Sequence, residues 1–227
     1  MTGRGPGLPS GTEIYWLDLT AAAHAMAEDL SVLSPDEVSR ARAFHDDTPR
    51  RRFIARRAAL RRLLAQKTGS RPNEAGLSYG RWGKPTLAVG AGHPCHFSTS
   101  HSGDLGIIVV ATVPVGVDIE QLRHLPEADD LLRLWLTPEE AAEACHCHSD
   151  PSEAFLVFWS AKEACLKATG HGLAGPIHGL GLQLSASPPR AAGVPDLGLA
   201  PLSRPGVVGW VTWRQARANP RASVALL

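Results

Sequence analysis

Apolar positions along this chain follow two rhythms, a short one that marks strands and a longer one, opened by capping residues, that marks helices. Residues 13–19 carry apolar and aromatic side chains at strand density. Residues 105–111 are an almost unbroken apolar run, followed after Pro114 by Gly116-Val117-Asp118-Ile119-Glu120. Ser34-Pro35-Asp36-Glu37 predicts a helix start, with Ser34 as N-cap, Pro35 in the first helical position and Glu37 closing the capping box. A second helix is predicted from Thr48-Pro49 through Phe53, Leu60 and Leu64 to Gly69, a residue suited to the left-handed stop position. Strands are expected over residues 77–82 and 94–98, joined through a Gly83-Lys84-Pro85 turn, and Phe97 to Gly103 reads as a polar turn.

Thr137-Pro138-Glu139-Glu140 opens a further capped helix, and Ser152 is the expected cap of a long one ending near Gly170 and Gly172. Residues 185–206, rich in Pro, Gly and Ala, read as a loop before strands at 207–213 and 223–226. Short turns between strands favour an α+β fold over a doubly wound parallel sheet. The interruption at Pro114 and Gly116 suggests a flexible leader (1–12), an N-terminal half (13–113) and a C-terminal half (114–227).

Length and composition allow an ordinary core: 227 residues, 44% hydrophobic. A formal charge of +1 makes no global demand for nucleic acid or a membrane surface, so electrostatic recognition must be local. The N-terminus lacks the apolar stretch of a secretory signal, the longest apolar run is too short to span a bilayer, and four cysteines do not make a disulfide framework, all of which point to the cytoplasm. Only four of the 23 basic residues are lysines, and Lys84, Lys162 and Lys167 all fall in the segments with candidate chemistry. An ammonium is a compact, rotatable charge that a planar guanidinium does not replace.

That chemistry rests first on carboxylates. Asp118 and Glu120 alternate on one face of a strand, and oxygen ligands of this kind suit a hard cation such as Mg2+. Glu163 and Lys167, four apart on a predicted helix, share a face, one as cation ligand and the other as phosphate clamp; the same spacing also fits an ordinary surface ion pair. Glu140 is accounted for by its capping box, which leaves Glu139 the freer candidate for a general base. Ser100 and His101 in the Phe97–Gly103 segment could meet a phosphate. The arginines between 50 and 62 read as a solvated face, with docking of an acidic partner as the alternative. Cys145-His146-Cys147-His148 lacks the spacing of a zinc site and is placed in a loop after the Glu139 helix.

Taken in order, Gly83-Lys84-Pro85, Phe97-Ser98-Thr99-Ser100-His101-Ser102, Gly116-Val117-Asp118-Ile119-Glu120 and Trp159-Ser160-Ala161-Lys162-Glu163-Ala164 to Lys167, closed by Gly170-His171-Gly172-Leu173, resemble the 4′-phosphopantetheinyl transferases, in the long, Sfp-type branch. The resemblance implies two similar α+β halves related by a pseudo-twofold axis, with the active site in the cleft between them, and a monomeric enzyme. It implies transfer of the phosphopantetheine arm of coenzyme A to a serine of an acyl or peptidyl carrier protein. Asp118, Glu120 and Glu163 would then hold Mg2+, Lys167 would neutralise developing charge, and Glu139 would be the base, with Glu163 or a metal-bound water as the competing assignment. His101 and Ser100, with Lys84, Lys162 and an arginine, Arg51 being the first choice, would bind coenzyme A. A Mg2+-dependent nuclease and a non-catalytic carrier-protein binder are the alternatives.

Overall fold

The computed structural model describes residues 2–3, 7–20, 26–87, 94–170, 179–194 and 196–215. In chain order the elements are β1 (Thr2–Gly3), β2 (Glu13–Asp18), α1 (Met26–Ser31), α2 (Pro35–Arg42), α3 (Asp47–Thr68), β3 (Leu77–Tyr79), β4 (Pro85–Leu87), β5 (His96–Ser102), β6 (Leu105–Ala111) and β7 (Val115–Gln121). They continue as α4 (Ala128–Trp135), α5 (Pro138–Cys147), α6 (Pro151–Thr169), β8 (Gly181–Gln183), β9 (Arg190–Ala192), β10 (Leu197–Pro201) and β11 (Val207–Arg214). The fold is α+β. Two sheets carry it, one ordered β1-β2-β6-β5 and the other β10-β11-β7, with two small hairpins, β3-β4 and β8-β9, beside them.

Local chemistry explains most boundaries. Ser34 and Thr137 each accept the backbone N–H of the residue three further on, while Glu37 and Glu140 return the favour to the cap N–H. Gly69 and Gly170 stop α3 and α6 in the left-handed region, at φ 69° and 80°. The cap of α6 is Asp150 rather than Ser152; Pro151 takes the first helical position, and the Ser152 hydroxyl instead accepts the Leu125 N–H across the structure.

Further expectations give way. Phe97 to Ser102 is strand, not turn, because its backbone pairs antiparallel with residues 105–110 of β6; within the segment only Gly103, at φ 55°, turns. Residues 185–206 hold β9 and β10, for which β8 and β11 supply the pairing partners that composition does not reveal. Cys145 and Cys147 lie exposed in the last turns of α5, not in a loop. Part of the expected leader is strand, Thr2 and Gly3 pairing with Tyr15 and Ile14. Gly172 and the strand at 223–226 lie outside the described residues.

The core is layered around β7. Its odd positions, Val115, Val117 and Ile119, join Ile14, Ile107 and Val109 of the first sheet in one apolar cluster. Its even positions turn toward α6, so Asp118 and Glu120 project where the helix carries Glu163 and Lys167. Gly116 makes the approach possible: a Cβ there would sit 2.0 Å from the Ala164 carbonyl oxygen and 2.4 Å from the Ala168 nitrogen. The other face of α6 packs Phe155, Phe158 and Leu156 against α4, α5 and β8–β11, each such side chain worth about 1.5–3 kcal/mol of burial. On the first sheet, α3 lays Leu60, Leu63 and Leu64 against Phe97, Ile108 and Val110.

Among the described residues no helix is long and apolar enough to cross a membrane.

Candidate functional site

A cavity of about 260 Å³ opens where the Trp82–Pro85 turn meets β5 and α6; Trp82, Lys84, Phe97, Thr99, Glu163 and Lys167 line it. Helical spacing of four puts Glu163 and Lys167 on the cavity side, and the adjacent residue, Lys162, is thereby turned about 100° away into the core. There it is fully buried and pairs at 2.7 Å with Glu140, itself 1% exposed and also accepting the Leu182 N–H at 2.8 Å. Lys162 therefore braces the α5–α6 contact and does not line the cavity.

Lys167 donates to Asp118 Oδ1 at 2.7 Å and to the Val117 carbonyl at 3.2 Å. Burial pushes the Asp118 carboxyl above the usual carboxylate range, and Lys167 and Ser100 oppose that rise. Glu163 is pushed up to about 7, first by burial and then by the charges of Asp118 and Glu120, against the pull of Lys167. Its Oε1 is buried without a hydrogen-bond partner. Glu120 accepts from Ser102 and Arg123, both at 2.8 Å.

Among the described residues no three His, Cys, Asp or Glu side chains are grouped closely enough to hold a metal ion as they stand, and Asp118 is paired with Lys167. The donor set nonetheless fits one. Three carboxylates feel one another's charge, one oxygen is buried and unpartnered, and a hard divalent cation is the group that all-oxygen ligands of this kind satisfy.

Lys84 crosses between the two sequence halves. Its ammonium donates to the carbonyl oxygens of Val115, at 2.9 Å, and of Lys167, near the carbonyl end of α6 where a cation is favoured. Burial and the neighbouring Lys167 push it down to about 8.

His101 is the exposed residue of β5. Partial burial of its imidazole, then Arg56, Lys167 and Arg52, push it down to about 4, so it is neutral among cations at pH 7. Of those cations, Arg52 is bonded to Asp104 at 2.7 Å, whereas Arg56 has a buried Nε with no hydrogen-bond partner and is pushed down to about 10 by burial and by Arg57 and Arg40. Arg51 bonds Thr48 within α3. Ser100 points away from His101, as alternation along a strand requires, and bonds Asp118. Glu139 is exposed at the start of α5, is held below the usual carboxylate range by hydrogen bonds there, and does not line the cavity.

The arginine run is mostly neutralised from within. Arg61 is buried against Glu37 and two carbonyls, Arg57 faces Glu37, Arg62 faces Asp29 and Glu28, and Arg50 faces Asp47. A single solvated face, or one continuous dock, is therefore not what these residues form.

Residues 114–208, the segment running from β7 through α6 into β11, match the sequence profile of the ACPS, 4′-phosphopantetheinyl transferase, superfamily. Over this segment the chain is similar to that superfamily. It is 35% identical over 151 residues to the 4′-phosphopantetheinyl transferase HetI of Nostoc, covering 65% of this chain and 64% of HetI. It is 28% identical over 189 residues to a 4′-phosphopantetheinyl transferase of Bacillus subtilis, covering 81% and 82%, and 23% identical over 168 residues to Sfp of Bacillus subtilis, covering 74% and 73%. The chain spans somewhat under two thirds of HetI and of a Synechocystis relative, 64% and 61%.

Trp82 and Ser102 are parts of the site's surroundings to which sequence reading gave no role, whereas Arg56 lies in the arginine run of which Arg51 was the first choice. Ser102 carried a signal, the period-two spacing of Ser98, Ser100 and Ser102.

Proposed function

We propose that the protein transfers the 4′-phosphopantetheine arm of coenzyme A to a serine of an acyl or peptidyl carrier protein, leaving adenosine 3′,5′-bisphosphate. The observation that carries this reading is the unpartnered, buried Glu163 Oε1, beside Lys167 and the Asp118 and Glu120 carboxylates, in a cavity walled by the Lys84 turn. In such a transfer the serine oxygen attacks the phosphorus that carries the arm, and the bond to the leaving phosphate breaks.

Asp118, Glu120 and Glu163 would hold Mg2+, which when bound supplies charge neutralisation and orientation of the pyrophosphate. Lys167, already held at Asp118, is placed to meet negative charge that grows on the transferred and leaving oxygens. Glu163, which lines the cavity, is better placed for the proton of the attacking serine than Glu139, which is exposed and does not. His101, Arg56 and Arg52 suit the 3′-phosphate: a neutral imidazole can donate one N–H, and Arg56 brings a buried Nε with no partner. We place the working division at residue 114, where the superfamily match begins, with the 3′-phosphate side before it and the metal side after it. The long branch, a cytoplasmic setting and a monomer are part of the same reading.

The test is incubation of the purified protein with an apo carrier protein, coenzyme A and Mg2+, followed by mass spectrometry. The expected result is a phosphopantetheine mass shift on the carrier serine that disappears with EDTA and with Asp118→Ala. Binding of the carrier without any shift would leave a non-catalytic binder. Cleavage of DNA in its place would favour the nuclease reading, from which the internally paired arginines already withdraw support.

A further inference from the structure

Strands β5 and β7 are edge strands of different sheets, yet they run side by side in the same direction without a backbone ladder between them. Side chains replace the ladder. The hydroxyls of Ser98, Ser100 and Ser102 accept the backbone N–H groups of Val117, Ile119 and Gln121 at 3.1, 3.4 and 3.0 Å. The constant offset of 19 residues is what a parallel pair with period-two side chains produces.

The acceptor role fixes the polarity of each hydroxyl. With an amide proton at the oxygen, the serine proton is free to donate elsewhere, and in two of the three cases it meets a carboxylate. Ser100 donates to Asp118 Oδ1 at 2.6 Å, and Ser102 donates to Glu120 Oε2 at 2.8 Å. Each carboxylate takes its second bond on the same oxygen, from Lys167 on Asp118 Oδ1 and from Arg123 on Glu120 Oε2. Both carboxylates are thus gripped by one oxygen, which sets the direction of the other.

We propose that Ser100 and Ser102 are positioning residues for the divalent cation: each relays the rigidity of a β7 amide to one carboxylate, so that the β5–β7 seam itself sets the geometry of the ligand pair. This rests on the transferase reading of the carboxylates. It also assigns the serines of β5 a role apart from the coenzyme A phosphate, since Ser100 and His101 face opposite ways. Ser98 supplies an internal comparison, making the same amide bond with no carboxylate contact.

The experiment measures Mn2+ binding by electron paramagnetic resonance on the full chain with coenzyme A present, with thermal midpoints recorded alongside. Loss of a hydrogen bond that orients a metal ligand costs about tenfold or more in metal affinity, so S100A and S102A should each weaken Mn2+ by that factor. The Mg2+ concentration giving half-maximal transfer should rise by the same factor, while KM for coenzyme A at saturating Mg2+ stays near that of the parent chain. S98A should lower the melting temperature yet leave Mn2+ affinity within about twofold, and S102T, which keeps the hydroxyl, should restore it.

Ser102, at the open end of the strand, carries the test if S100A does not fold. Alanine variants that bind Mn2+ like the parent chain, or an S98A loss as large as theirs, would overturn the positioning role alone. A parent chain that binds no Mn2+ in the presence of coenzyme A would overturn both this role and the metal assignment.

Discussion

Glu163→Gln offers the sharpest check, because it should move stability and activity in opposite directions. In the folded, ion-free protein the Glu163 carboxyl is pushed up to about 7 from an ordinary 4.5. A raised acid is destabilising wherever it must ionise: between 4.5 and about 7 the unfolded chain has released a proton that the folded chain retains, so stability falls as pH rises through that window and is level above it. At about 1.4 kcal/mol per pH unit the ceiling is about 3.4 kcal/mol. Glu163 is part-exposed and solvent screens it, so roughly half, about 1.5 kcal/mol, is the working figure.

Glutamine keeps the shape and cannot ionise. Melting curves of parent and E163Q in EDTA, at pH 5 and at pH 8, should therefore show the gap shifting in favour of E163Q by about 3–6 °C over that span. Taking the difference between the two proteins cancels the other groups that titrate in the same range, apart from the neighbouring Asp118 and Glu120, whose charges Glu163 feels. Adding Mg2+ with coenzyme A should stabilise the parent and not the variant, and transfer by E163Q should fall at least about a hundredfold. Parallel melting curves across the pH span would show that Glu163 carries no buried-charge penalty, and the metal reading built on it would lose its physical basis.

Other expectations follow from the same structure. His101→Ala and Arg56→Ala should each weaken coenzyme A binding by roughly tenfold or more and barely change binding of 3′-dephospho-coenzyme A, read by calorimetry; equal losses on both ligands would remove the 3′-phosphate assignment. Gly116→Ala drives a methyl group into the backbone of α6 and should cost about 3 kcal/mol or more, seen as a melting point lowered by about 6 °C or as insoluble protein; a variant as stable as the parent would contradict the close strand–helix approach. Glu139→Ala discriminates the two bases by steady-state transfer rates: with Glu163 in that role turnover stays within about threefold, and a hundredfold loss would reinstate Glu139.

Patterns that act within a few residues were legible. The capping boxes at Ser34 and Thr137, the glycine stops at 69 and 170 and the apolar β6 all depend on neighbours close in sequence, so the letters suffice. The shared face of Glu163 and Lys167 follows from helical spacing in the same way. Short strands such as β9 and β10 were not legible, since their stability comes from β8 and β11, partners that composition cannot name.

The chain by itself thus determined which residue types are available, four motifs in order, and local periodicity that sets Asp118 with Glu120 and Glu163 with Lys167. Tertiary packing decided what each one meets. It buried Lys162 against Glu140, turned Ser100 toward Asp118, left Arg56 rather than Arg51 near His101, and paired Arg57, Arg61 and Arg62 with acids from α1 and α2. The reason is range: hydrogen-bond caps and helical or strand phase are set within about one turn, whereas burial, desolvation and charge pairing depend on segments dozens of residues apart being brought into contact.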